Sequence, residues 1–521
     1  MEIQNIPLEQ FRSKMLELRN QKGMDFMRNL IGMDWKEEGL GVIYILENTK
    51  TGENISVSTR TTDRQTPYIP TVSDLWKIAD FYEREVYDFF GIIFTDHPDM
   101  RRLFLRDDWT GYPLRKDYDP SEKVNPVRMY AENDEDAYHI CYKTQPDGSI
   151  KRIATPMYKD GDYVINIGPQ HPATHGVLRF RLALAGETID KLDVHCGYIH
   201  RGIEKLNEQS TYPQTLGFTD RLDYLSASMN RHALCMCIEQ AMGIEVSDRV
   251  KYIRTIMDEL QRIDSHLLFY GCCAQDLGAL TAFIYGFRDR EKVLDIMEGT
   301  TGGRLIQTYN VIGGVQADID PNFVKGCKEL IKYMPSKLEE YKKVFTGNII
   351  MQNRFKDIGV LSKEDAISFG CTGGTGRASG WACDVRKRHP YGVYDKVDFK
   401  EITYDYGDSF NRYEVRLHEI EQSLHIIEQL IDNIPEGNYR EKTKPIIKVP
   451  EGSYYAAVEG SRGEFGVYLE SKGDKSPYRL KYRPMGLPLT ASMETICRGE
   501  KLADLIAIGA SLDYVIPDID R

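Results

Sequence analysis

The 521-residue sequence predicts an α+β protein in two unequal parts. A small N-terminal α/β domain precedes a larger, mainly helical domain with strands at both of its ends. Three observations predict this. β-rich runs cluster beside one amphipathic segment in the first 118 residues, and a polar, turn-rich interval interrupts the chain at 119–160. From 161 to 521, short β-like runs precede and follow a long stretch of helical periodicity. At about 150 residues per domain the length allows roughly three domains, and two are comfortable.

In the first part, "GVIYILENTKTGENISVSTRT" reads as two strands around a turn at Thr51-Gly52. "SDLWKIADFYEREVYDFFG" follows with apolar residues at helical spacing, Ser73 as the candidate N-cap and Gly91 as the stop. The interval 119–160 contains the acidic run "ENDED" and no sustained periodicity, and is expected to be a linker. Beyond it, "YVINIG", "VLRFRLALAG" and "TIDKLDVHCG" read as three strands joined by a histidine loop and by Gly186-Glu187. Helical patterns dominate from 203 to 345. The clearest is "SDRVKYIRTIMDELQRIDSHLLF", with Ser247 as cap and Val250, Ile253, Ile256, Met257, Leu260, Ile263 and Leu267 on one stripe. Another helix follows near residue 412, and "GEFGVYLESKGDKSPYRLKYR" returns to strand, turn and strand.

Composition excludes several function classes. A formal charge of −12, from 67 basic against 79 acidic residues, argues against a general nucleic-acid footprint. The first residues carry charges throughout and lack an apolar signal-peptide core, so the chain is expected to be cytosolic. Its apolar stretches fall short of the roughly 18 residues a membrane helix needs, so any membrane association must come through partners. Ten cysteines show no C-x-x-C spacing, and no metal or cluster is expected on this chain alone. "GCTGGTGRASG" and "EGTTGGR" fit neither phosphate-loop pattern, and no G-x-S-x-G elbow is present.

Three places carry candidate chemistry. In "GPQHPATHG", Pro172 biases His171 away from helix, which removes the H-x-x-x-H helical zinc site. His171 is expected to support a tight turn. For His175, before Gly176, a turn hydrogen bond and a proton-handling role both stand open. In "FTDRLDYLSASMNRH", a helix would put Asp220, Tyr224 and Ser228 one turn apart. Tyr224 is then either a core phenol bonded to a neighbour or a hydrogen-bond and proton donor. Asp276, inside "LLFYGCCAQDLGALTAFIYGF", is either an N-cap for the next helix or a buried acid that orients a histidine.

Family resemblance goes further. "EREVYDFFGIIFTDHPDMRRLFLRDDWTGYPLRKDY", residues 83–118, resembles the C subunit of the respiratory NADH-quinone oxidoreductase, complex I. "GPQHPATHGVLRFRLALAGETI", "GYIHRGIEKL", "FTDRLDYLS", "AQDLGALT" and "EGSRGEFGVYL" resemble the D subunit of the same enzyme. These motifs occur in the family's order, so the chain looks like a C/D fusion. It would comprise a docking domain like the C subunit at 1–118, the linker, and a quinone-site domain like the D subunit at 161–521.

The resemblance implies a peripheral subunit on the cytoplasmic side of the bacterial inner membrane, in a proton-translocating enzyme. With the B subunit it would form a cavity where electrons from that partner's 4Fe-4S cluster reduce quinone. His175 and Tyr224 match the residues that bond the two quinone carbonyls, and Asp276 matches the acid paired with the histidine. Arg201 matches an arginine near the cluster, against the alternative of a helix-end salt bridge. Other peripheral-arm subunits, the I subunit among them, and membrane-arm subunits are the implied partners, with NADH used elsewhere in the complex.

The D subunit also resembles the large subunit of nickel-iron hydrogenases. The metal-binding C-x-x-C pairs of those enzymes are replaced here by a lone Cys196 and by "LDYVIPDIDR" without cysteine. Two alternatives remain at this level: a hydrogenase-related, ferredoxin-driven complex, and a purely structural scaffold. One departure stands out, since many relatives have a histidine two residues beyond the arginine of "GGRL", where this sequence has Ile306.

Overall fold

A computed structural model describes residues 1–119, 121 and 138–521, so the "ENDED" run lies outside the described residues. The first sheet has the strand order Gln4–Asn5, Asn54–Thr61, Leu40–Glu47, Phe26–Asp34. Its central hairpin pairs Leu40 with Thr61 and Glu47 with Asn54. The turn forms where the sequence places it. The Asn48 side chain accepts from the N–H groups of Lys50 and Thr51, and Gly52 takes φ +75°, a region an L side chain resists.

The helix beside this sheet runs Ala79–Phe90 and stops at Gly91, φ +71°. It begins later than the cap at Ser73 predicts, and Ile78 occupies the N-cap position. Tertiary bonds hold residues 71–77 out of the helix: Glu83 accepts from the Val72 N–H, the Trp76 indole donates to Met24 O, and the Lys77 N–H donates to Ser368 Oγ. Buried side chains decide that boundary, and a local pattern cannot register them.

Within the interval expected to be irregular, Tyr138–Thr144 and Ile150–Pro156 form an antiparallel hairpin. It docks through the Met100 N–H on Ile140 O and the His139 ring 3.2 Å from Asp99. The three strands beyond it fold as expected, with Arg179–Ala185 between Tyr163–Ile167 and Thr188–His195. Phe180 and Leu182 point into the core from the middle strand.

Ser247 caps the next long helix by accepting from the Val250 N–H, and the helix continues to Asp276. At 29 residues it is about 44 Å long. Every member of its predicted stripe is buried, and it packs against the helices Leu280–Thr301, Ser409–Ile431 and Leu502–Leu512. The strands Gly452–Gly460, Gly463–Ser471 and Arg479–Arg483 then form an antiparallel sheet. No helix among the described residues is long and apolar enough to cross a membrane.

One apolar core joins the two parts. It contains Phe11, Trp76 and Phe94 together with Phe180, Leu192, Trp381, Leu487 and Ile516. A buried charge cluster crosses the same seam. Glu85 pairs with Lys481 and Arg521, while Glu204 pairs with Arg479 at 2.7 Å, Arg521 at 3.2 Å and Lys481 at 3.6 Å. Burial and the neighbouring charges of Arg521 and Arg479 pull the Lys481 ammonium down to about 8 against the opposing effect of both carboxylates. Three cations against two carboxylates leave no spare negative charge. Glu204→Gln is therefore expected to destabilise the chain by about 3 to 5 kcal/mol. Thermal unfolding checks this, and an unchanged melting temperature would show that the cluster does not hold the seam.

Candidate functional site

The histidine loop hangs between two paired strands. Gly168 is required at its start: φ is +85° and a Cβ would lie 2.0 Å from Leu178 O. Pro172–Thr174 make a single 3-10 turn, closed by the Thr174 N–H on His171 O. Buried Thr174 places its hydroxyl 2.8 Å from His171 O and 2.7 Å from Gly176 O. A φ of +52° puts His175 in the left-handed region, and Gly176 follows at +142°, where a Cβ would come within 2.7 Å of Ile516 Cγ1. The two histidines therefore differ in kind. His171 is exposed and contributes its carbonyl to the turn, whereas His175 is half-buried.

His175 reaches Asp276, with Nε2 2.6 Å from Oδ2. Asp276 is the last residue of the helix Asp248–Asp276, not an N-cap; Ala279 precedes the following helix without a side-chain cap. A carboxylate is disfavoured at a helix C-terminus, where the partial charge is already negative, and a protonated imidazole is favoured there. Burial lowers the affinity of the His175 ring for a proton. The hydrogen bond and charge of Asp276, with the charge of Asp513, outweigh it, and the net displacement is upward from 6.5. A ring protonated in this way donates from Nε2 to Asp276 and keeps Nδ1–H for a ligand.

The segment containing Tyr224 is not the continuous helix that would set Asp220, Tyr224 and Ser228 one turn apart. One helix ends at Thr219, and a 3-10 turn, Tyr224–Ser226, precedes the helix Ala227–Met242. Ion pairs explain the break. Asp220 turns back to Arg231 at 3.0 Å and Arg221 at 2.9 Å. Asp223 caps the 3-10 turn by accepting from the Leu225 N–H and meets the Arg462 guanidinium at 3.0 Å. Ser228 bonds Asp258 rather than Tyr224. The half-buried Tyr224 has no hydrogen bond from its hydroxyl within the described residues. Its pKa is raised by burial, opposed by Arg462 and assisted by Asp223, Cys272 and Asp513.

The charge of Asp513 raises the pKa of both His175 and Tyr224, and Arg462 ties Asp513 to Asp223, the residue before Tyr224. Arg462 holds the Asp513 carboxylate at 3.0 Å, and the same guanidinium donates to Ser265 Oγ of the long helix at 3.0 Å. Asp513, Arg462 and Cys272 escape sequence reasoning. "SLDYVIP" sets one charged residue in apolar surroundings, and "EGSRGEF" sets Arg462 between two glutamates in one of the family-like motifs; those are the available signals.

Arg201 is exposed, donates to Arg221 O at 3.1 Å and forms no ion pair among the described residues, so the helix-end salt bridge does not form. Burial and the neighbouring Arg221 lower its pKa. Next to it, Asp520 accepts from the N–H groups of Gly197 and Ile199, and its carbonyl lies 2.6 Å from His200 Nδ1. Ile306 is half-buried in the loop after Thr301. Among the described residues no group of three or more His, Cys, Asp or Glu side chains is placed to hold a metal ion.

Known proteins share this chain's sequence throughout its length. The family model described as respiratory-chain NADH dehydrogenase, 30 Kd subunit, matches residues 5–124. The model described as respiratory-chain NADH dehydrogenase, 49 Kd subunit, matches 276–448 and 442–521. The NADH-quinone oxidoreductase C/D subunit of Phocaeicola vulgatus is 70% identical over 516 residues, covering 99% of both chains. The Bacteroides thetaiotaomicron protein of the same name is 68% identical over the whole of both chains, and the C/D 1 subunit of Aquifex aeolicus is 38% identical over 97% of this chain and 89% of its own. The chain belongs to the family of fused C/D subunits of the NADH-quinone oxidoreductases and is a component of respiratory complex I.

Proposed function

We propose that this chain provides the quinone-headgroup site of the complex, with His175 and Tyr224 as the two donors to the ring oxygens and Asp276 as the acid that charges the histidine. The observation that carries the reading is the pair His175–Asp276 at 2.6 Å beside a tyrosine whose hydroxyl has no partner among the described residues. The B subunit would close the cavity and bring its 4Fe-4S cluster within tunnelling distance. Electron transfer needs only that proximity, and the protein's task is to bind, polarise and protonate the ring.

Two electrons and two protons convert quinone to quinol. His175 donates from Nδ1 to one ring oxygen while Asp276 holds Nε2, so the ring keeps its orientation as that proton leaves. Tyr224 polarises the other oxygen; burial holds its phenol protonated as a donor, and the Arg462 charge moderates the cost of losing that proton. Arg201, a surface cation with no ion pair among the described residues, would favour the reduced state of the partner's cluster. Gly176 lets the loop tip close on Ile516, and His171 supports the turn. No step is assigned to Ile306.

The contacts with the B subunit, with other peripheral-arm subunits such as the I subunit, and with the membrane arm belong to this same reading, as do the cytoplasmic side of the membrane and NADH oxidation elsewhere in the complex.

Tyr224→Phe in membranes, with assembly and cluster content verified in the same sample, is expected to lower donor-to-quinone electron transfer at least about tenfold, a barrier increase near 1.4 kcal/mol. Turnover at the parental rate would remove Tyr224 from the site. Asp276→Asn withdraws the charge that raises His175. Because the folded value lies above 6.5, the stabilisation from the charged pair is complete below that pH and is lost as pH rises through the folded value. The variant should therefore titrate His175 at lower pH, as read by NMR of histidine-labelled protein, and an unmoved titration would contradict the pairing.

A further inference from the structure

We infer that Cys272 forms part of the wall of the quinone-headgroup site and is the residue at which small electrophiles, including quinones with an unsubstituted ring carbon, block that site covalently. The inference rests on the reading of the site given above. Cys272 precedes Asp276 by one turn on the long helix, so the two share a face. Its neighbour Cys273, about 100° further round the helix, is buried, with its thiol donating to Ala510 O. Cys272 is half-buried; of the ten cysteines, Cys141 on the hairpin is the other that is not buried.

Asp276, one turn along the same helix, holds the His175 ring at 2.6 Å, and the charges of Asp513, Asp276, Arg462 and Arg290 act on the Cys272 thiol. A second observation points to a ligand in the same space. Asp513 is 8% exposed, and its Oδ2 accepts no hydrogen bond, with Arg416 Nε at 3.7 Å. Oδ1 is held by Arg462 and the Arg416 charge offsets part of the cost at Oδ2, which keeps room for a donor carried by a ligand, or by water held with it.

The reaction balances without an added oxidant. The Cys272 sulfur bonds to an unsubstituted ring carbon. The thiol proton and the hydrogen displaced from that carbon end on the two ring oxygens, leaving a thioether-substituted quinol in place of thiol and quinone. Burial, with the Asp513 and Asp276 charges, pushes the thiol up to about 11. At neutral pH the reactive thiolate is then roughly one molecule in 10⁴. That restraint protects the site, and a fully substituted quinone ring offers no carbon for the same addition.

The test treats membranes holding the assembled complex with p-benzoquinone in the absence of an electron donor, then measures quinone reduction and maps adducts by mass spectrometry. The expected result is an adduct on Cys272 whose yield tracks the activity lost, slowed at least about tenfold by saturating substrate quinone. In Cys272→Ser, the fraction of starting activity lost under the same treatment should fall at least about tenfold. Loss of activity with no adduct on Cys272, no modification at all, or inactivation of the variant at the parental rate would each overturn the inference. So would a Cys272 adduct that substrate quinone does not slow, because the thiol would then lie outside the headgroup wall. The Tyr224→Phe result bears on the site itself and stands whichever way this experiment falls.

Discussion

The Arg462 guanidinium joins everything that makes the site. It is fully buried, and a buried cation persists only where carboxylates and hydrogen-bond acceptors surround it. Those it meets come from three distant segments: Asp223, which caps the turn bearing Tyr224; Ser265, on the helix that ends in Asp276; and Asp513, on the loop that leads to Ile516. One planar group thereby sets the relative positions of the phenol, the acid that charges His175, and the tail against which the histidine loop closes. Its demand for two carboxylates also explains why the Tyr224 segment bends into a 3-10 turn.

The seam between the two fused parts obeys the same rule at larger scale. Glu85 in the helix Ala79–Phe90 and Glu204 after the three-stranded sheet pair with Arg479, Lys481 and Arg521, while Arg101 spans the boundary between Asp99 and Asp193. The apolar core continuous across this boundary supplies the bulk of the burial, and the charge pairs fix its register. Arg521 lies beside Asp520, which pins the His200 loop, so the N-terminal part is connected through two residues to the segment carrying Arg201.

Periodic features are legible in the sequence. The hairpin around Gly52, the three strands around the histidine loop and the stripe from Val250 to Leu267 all form where alternation or helical spacing puts them. Features set by long-range charge pairing are not. Asp220 and Asp223 sit in a segment whose local spacing fits a helix, and only Arg231 and Arg462 reveal that they are committed elsewhere. Asp276 illustrates the same limit: the sequence allows a cap or a partner for a histidine, and the choice depends on a residue 101 positions away. The hairpin from Tyr138 to Pro156 is hidden by its polar faces, since it rests on the surface of the larger fold and buries little beyond Ile140. His175 and Tyr224 draw their specific roles from family resemblance, because one loop histidine and one tyrosine carry no pattern of their own.

The headgroup site is tested most directly by a cryo-electron microscopy structure of the assembled, active complex with quinone bound. One ring oxygen is expected within hydrogen-bond reach of His175, about 3 Å, and the other within the same reach of the Tyr224 hydroxyl. A headgroup bound with neither side chain in reach, in a preparation that reduces quinone, would contradict the assignment.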